Sequence, residues 1–192
     1  MAAELEQASR PAENRDWATA PLAELADHIV ASHHAYLRAE LPALAGRLLQ
    51  VLAAHRVNHG SSLLPLQETF ERLQSELSAH MMKEELILFP LIRRMEDAAK
   101  RGAGMPPAHC GSIKYPITVM EYEHDNAAAA LREMRRLTGN YTPPGDACAA
   151  YRALLRGIEV LEADLHQHIH LENNILFPRA AELEARLATG SA

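Results

Sequence analysis

The sequence predicts an all-α protein, an antiparallel up-down four-helix bundle built as a pseudo-twofold repeat of one helix hairpin. Three observations carry this. Apolar residues make up 48% of the 192 residues and aromatic ones only 5%, a Leu- and Ala-rich mix that favours helices over sheets. Apolar positions recur at helical spacing in four long segments. The links between them are rich in Gly, Pro and Asn and mostly short, as neighbouring antiparallel helices require.

Residues 1–20 are polar and are expected to form a flexible N-terminal segment, with one helical domain over 21–187. Pro21 suits the opening of a first helix, which is expected to run to about His55. Its apolar stripe is Leu22, Leu25, Ile29, Val30, His34, Leu37, Leu41, Leu44 and Leu48, with Pro42 as a kink point. The segment 56–64 contains Asn58, Gly60 and two serines and reads as a loop. Pro65 then opens a second helix, with a stripe of Leu66, Phe70, Leu73, Leu77, His80, Glu84, Ile87, Leu88 and Leu91. A long connection over 101–115 follows. A third helix after Pro116 presents Ile117, Met120, His124, Ala127, Ala128 and Leu131. A fourth is expected to start with Asp146 as its N-cap; it carries Leu154, Ile158, Leu161, Leu165, His168, Glu172, Ile175 and Leu176.

The second and fourth helices share a motif. His80-Met-Met-Lys-Glu84-Glu-Leu-Ile-Leu-Phe-Pro90 matches His168-Ile-His-Leu-Glu172-Asn-Asn-Ile-Leu-Phe-Pro178 in His, Glu, Ile, Leu, Phe and Pro at equal offsets, 88 residues apart. His34 and His124 lie 90 apart on the other two helices. His and Glu four apart stand one above the other on a helix face. Here that face is the apolar one, and a carboxylate in a core costs several kcal/mol unless something compensates it. No Lys or Arg lies on these stripes at that level, so cations are the better compensation than a salt bridge.

The intervals His34–His80, His80–His124 and His124–His168 are 46, 44 and 44 residues. In an up-down bundle, near-constant intervals bring residues to one level. Glu84 and Glu172 lie one turn away, about 6 Å along their helices. The expected metal ligands are therefore His34, His80, Glu84, His124, His168 and Glu172. Imidazole suits iron, copper, nickel or zinc, and bridging carboxylates suit iron or manganese. His33 competes with His34, which fits the stripe and the repeat better. His55 is a further candidate ligand should the first helix break at Pro42. Glu76 and Glu123 adjoin the site and are candidates to support it. His28, His59, His109, His166 and His170 read as solvent or loop residues, with His166 and His170 also placed to flank the site.

Composition limits the partners. A net charge of −6 disfavours a nucleic-acid surface. No run approaches the roughly 20 apolar residues of a membrane span, and the first residues lack a signal peptide pattern. A cytoplasmic location is the default expectation. Cys110 and Cys148 form no metal motif.

The segments around His33-His34, His80–Pro90, Pro116–Asn126 and His168–Pro178, with Tyr141-Thr-Pro-Pro144, resemble the haemerythrin-like (HHE) superfamily. They are most similar to the iron-sulfur cluster repair di-iron proteins, and the likeness spans about residues 17–182. The resemblance implies an oxo- or hydroxo-bridged pair of iron ions. Its ligands would be the four histidines, and Glu84 and Glu172 would bridge. A histidine at the position of His55 also recurs in such relatives. The resemblance further implies a small ligand such as O2 or NO, and damaged iron-sulfur proteins as partners. The implied role is repair of, or iron donation to, clusters damaged by nitrosative or oxidative stress. Binding or sensing of O2 or NO, or reduction of NO or peroxide, is the alternative. Many members carry an additional N-terminal domain with cysteines, whereas only 16 residues, none of them Cys, precede Trp17.

Overall fold

The computed structural model describes residues 15–107 and 111–190. All regular structure among the described residues is helical. Helix α1 (Leu22–Ile29) passes through a π-helical turn (Val30–His34) into α2 (Ala35–Lys83). A second π turn (Glu84–Leu88) leads into α3 (Phe89–Lys100). After a connection over 101–113 comes α4 (Lys114–Leu137), then α5 (Ala149–Leu171), a third π turn (Glu172–Leu176) and α6 (Phe177–Ala188).

Helical backbone runs through all 49 residues of α2, yet the chain reverses inside it. His34 Nδ1 lies 2.7 Å from Glu85 Oε1, whereas a straight helix would hold the two residues about 75 Å apart. The corner falls between Leu52 and Leu63, where the buried stripe lapses. The segment 56–64, expected as a loop, therefore turns with helical backbone. With the corner counted, four helical rods form an all-α bundle of the expected kind.

Two apolar clusters fill the bundle. One joins residues of α2, α4 and α5, from Leu37 to Leu165. The other joins α1, α3 and α6 with the start of α4. The buried histidines and Glu84 and Glu172 form a polar layer between them.

The π turns follow from local chemistry in two cases. Pro90 and Pro178 sit at the start of α3 and α6. A proline offers no N–H to the carbonyl four residues back and crowds it, so the preceding turn widens by one residue. This shifts the stripe. Leu88 is buried but Ile87, expected inside, is 54% exposed. Val30, Ala128 and Ile175, also expected inside, are half-buried.

The duplication extends to helix capping. Glu96 Oε1 on α3 accepts from the Leu22 N–H at 2.7 Å, which caps α1. Glu184 Oε1 on α6 accepts from the Ile113 N–H at 2.8 Å, which caps α4. The two glutamates are 88 residues apart, like the paired motif residues. Each places a negative charge at a helix N-terminus, where it satisfies free N–H groups and the helix dipole.

Asp146, expected to cap the fourth helix, does not. Cys148 holds that position before α5, and Asp146 turns to His59 instead. Of the N-terminal segment, 1–14 lies outside the described residues. Its remainder is tied down: the Arg179 guanidinium donates to the carbonyls of Trp17 and Ala20, each at 2.7 Å.

Between α4 and α5 the chain holds Gly139, Asn140 and Tyr141 at φ 56°, 60° and 59°. A bulky residue in this region is strained. Two contacts to the buried Glu162 hold it there. The Tyr141 hydroxyl donates to Glu162 Oε2 at 2.6 Å, and Arg135 Nε donates to Oε1 at 2.7 Å. Burial and the Glu162 charge together raise the Tyr141 phenol above its ordinary range. Tyr141→Phe leaves a charged, buried oxygen without its donor, an expected loss of about 1.5–3 kcal/mol. Urea unfolding checks this: the midpoint should fall while the slope stays unchanged.

Candidate metal centre

The six residues singled out by pattern and spacing meet in one layer. All are buried: Glu84 and Glu172 are 0% exposed, and His34, His80, His124 and His168 at most 3%. Each carboxylate is flanked by two imidazoles. Glu84 Oε2 lies 3.3 Å from Nε2 of both His34 and His80. Glu172 oxygens lie 3.1 Å from Nε2 of both His124 and His168. Two four-residue sets result, each with its ligand atoms within 4.8 Å of one another: His34, Glu84, His168, Glu172 and His80, Glu84, His124, Glu172. Both glutamates belong to both sets. Each set also draws two residues from each helix hairpin.

The π turns help to assemble this layer. His34 ends the first, and Glu84 and Glu172 begin the other two. Three of the six residues thus sit where a helix carries an extra residue in its turn, a place where π turns often mark function.

Partners behind the ring fix three of the four imidazoles. His34 Nδ1 lies 2.7 Å from Glu85, His80 Nδ1 3.0 Å from Glu123, and His124 Nδ1 2.8 Å from Asn173 Oδ1. With Nδ1 donating outward, Nε2 presents a lone pair to the centre. Cations stand behind the two carboxylates: Arg38 bonds Glu85 and Lys83 bonds Glu123. Burial pushes both carboxyls up, but the neighbouring histidine and cation outweigh it and hold each below the usual range. His33 stacks on His168, with ring centroids 5.3 Å apart and planes 3° apart.

The buried groups fit a pair of cations. His34 Nε2, His168 Nε2 and all four oxygens of Glu84 and Glu172 have no hydrogen-bond partner. Buried carboxylates left in this state cost several kcal/mol each. Nε2 of His80 and His124 face each other at 3.1 Å, an arrangement that needs a proton or a metal between or beside them. Shared cations answer every one of these groups together. A donor set of imidazole and carboxylate without thiolate suits first-row metals such as iron, manganese or zinc.

Protons compete for the same atoms. Burial alone would push His80 down, but its pairing with the Glu84 carboxylate 3.3 Å away, helped by Glu172 and Glu123, raises it to about 9. A raised value stabilises the metal-free fold fully below His80's ordinary 6.5, and that contribution is lost as pH climbs through about 9. Metal uptake near neutral pH must therefore expel a proton. The expected outcome is proton release on loading apoprotein in weak buffer, and an apparent affinity that falls on acidification. A pH-stat titration reads both.

The structure separates the remaining candidates. His55 does not join the six. It lies at the far end of the bundle, with its ring 6.0 Å from His59 and 5.3 Å from Tyr151. Helix α2 passes through Pro42 as helix, so nothing folds His55 back. Glu123 supports His80 as described, and Glu76 lines a cavity of about 250 Å3 beside His80 and His124. The side chain of His166 is 62% exposed. His109 and Cys110 lie outside the described residues. Glu85, Asn173 and His33 were not singled out as partners of the ring. One signal was present: Glu85 and Asn173 follow the motif glutamates at the same offset.

A helical bundle with a buried layer of imidazoles and shared carboxylates defines a cation-binding bundle. A family model described as the hemerythrin HHE cation binding domain matches residues 25–180, and the chain belongs to that family. It is 43% identical over 180 residues to the iron-sulfur cluster repair protein YtfE of Citrobacter koseri, which covers 93% of this chain and 74% of that protein. The same protein of Escherichia coli O157:H7 matches with equal identity and coverage. No helix among the described residues is long and apolar enough to cross a membrane.

Proposed function

We propose that this protein is a di-iron protein that repairs, or donates iron to, iron-sulfur clusters damaged by nitrosative or oxidative stress, and that it works in the cytoplasm. The observation that carries the reading is the fully buried pair Glu84 and Glu172, shared between two histidine sets. The kinship with named iron-sulfur cluster repair proteins supplies the activity. In this reading His34 and His168 would hold one iron and His80 and His124 the other, with Glu84 and Glu172 serving both. Bound iron would supply the redox chemistry and the affinity for O2 or NO.

The chain's own residues set access and basicity. The cavity lined by Glu76, Lys83, Glu123, His80 and His124 opens on one of the two sets. It gives that position a route for a small ligand in, or for iron out. Glu123 keeps the His80 proton on Nδ1 and leaves Nε2 for the metal. The apolar clusters above and below exclude water from the layer. The test is recovery of a hydratase whose cluster has been damaged by nitric oxide. Iron-loaded protein should restore it faster than an equal amount of free ferrous iron, and equal rates would refute the repair role.

A further inference from the structure

We propose a second, mononuclear metal site at the opposite end of the bundle, formed by His55, His59 and Asp146 and suited to a divalent cation of the zinc class. His55 and His59 stand four apart on α2, on the same face. A nitrogen of each and an Asp146 oxygen lie within 4.8 Å of one another. Both histidines are half-buried. Asp146 Oδ1 is 2.7 Å from His59 Nε2. Cys148 is a free, exposed cysteine. It stands at the N-cap of α5, where the neighbouring His55 imidazole lowers its thiol from the ordinary value, and it lies outside the three-residue set. Tyr151 closes one side, 5.3 and 5.9 Å from the two rings.

Two nitrogens and one carboxylate oxygen make a three-ligand set that leaves one tetrahedral position of zinc open. Two imidazoles favour zinc or cobalt over magnesium or calcium. The site bridges the corner inside α2 and the loop that leads into α5, so a bound ion would pin the two hairpins together at this end. Along α2 it lies about 30 Å from His34, and it shares no residue with the buried centre. It stands independently of the repair reading.

The test uses the iron-loaded, full-length protein, titrated anaerobically with Co(II), with iron content measured before and after. One equivalent should bind without loss of iron and show visible cobalt d–d bands, which Zn(II) then bleaches. His59→Ala and Asp146→Ala should each weaken cobalt binding by at least about tenfold, since a lost ligand costs no less than a lost supporting partner. Both variants alter partly exposed side chains and should keep their iron. Absence of a retained equivalent overturns the proposal, as does unchanged binding in both variants. Cobalt uptake matched by equal iron loss overturns it too, because the ion would then sit in the buried centre.

Discussion

Glu172→Ala should purify without metal at either position of the buried centre. Its carboxylate is fully buried and belongs to both four-residue sets, so one substitution strips a ligand from each. His80→Ala removes a ligand from one set only and should leave the His34–His168 position the better filled of the two. Loss of supporting partners alone costs about 10–100-fold in affinity, and loss of a shared ligand should exceed that at both positions. His166→Ala, with its side chain exposed and outside both sets, serves as the control and should bind metal like the parent. Metal content by atomic emission after anaerobic purification decides it. Equal content in Glu172→Ala and His166→Ala would end the assignment.

Stripping the metal should also unsettle the fold. The metal-free layer keeps two carboxylates and four imidazoles between two apolar clusters. Each unsatisfied buried group costs about 1–3 kcal/mol, more when charged. Protonation of the imidazoles recovers part of this, and we expect a net loss of about 4 kcal/mol or more. That is a large share of the roughly 5–15 kcal/mol that holds a domain together. In a chain of this size it corresponds to a fall in melting temperature of about 8–16 °C. Calorimetry of loaded, chelated and reloaded protein reads it. A chelated protein that melts within a degree of the loaded one would show that the layer is satisfied without metal.

The features legible in the sequence were those that repeat or that break a local rule. His80-Glu84 and His168-Glu172 are polar pairs on an apolar stripe, and their equal spacing gave the bundle, the hairpin repeat and the six gathered residues. Features that depend on tertiary partners were not legible. Glu96 and Glu184 look like ordinary surface glutamates until the helices pack and bring them to the N-termini of α1 and α4. The corner within α2 carries Asn, Gly and Ser, which signal a loop, yet packing keeps helical backbone there. The π turns before Pro90 and Pro178 have a local cause, but the one over Val30–His34 has no proline after it. It brings both His33 and His34 inside, where the stripe rule had admitted only one. Asp146 had cap chemistry and found a competing partner in His59, 87 residues away.

The division of each set between the hairpins bears on biosynthesis. The N-terminal hairpin alone offers one half of each position, an arrangement too poor to retain an ion against cellular chelators. Neither position is complete until Glu172 has emerged and docked. In the di-iron reading, ion loading would therefore wait for Glu172, and a product that stops before it would carry no iron.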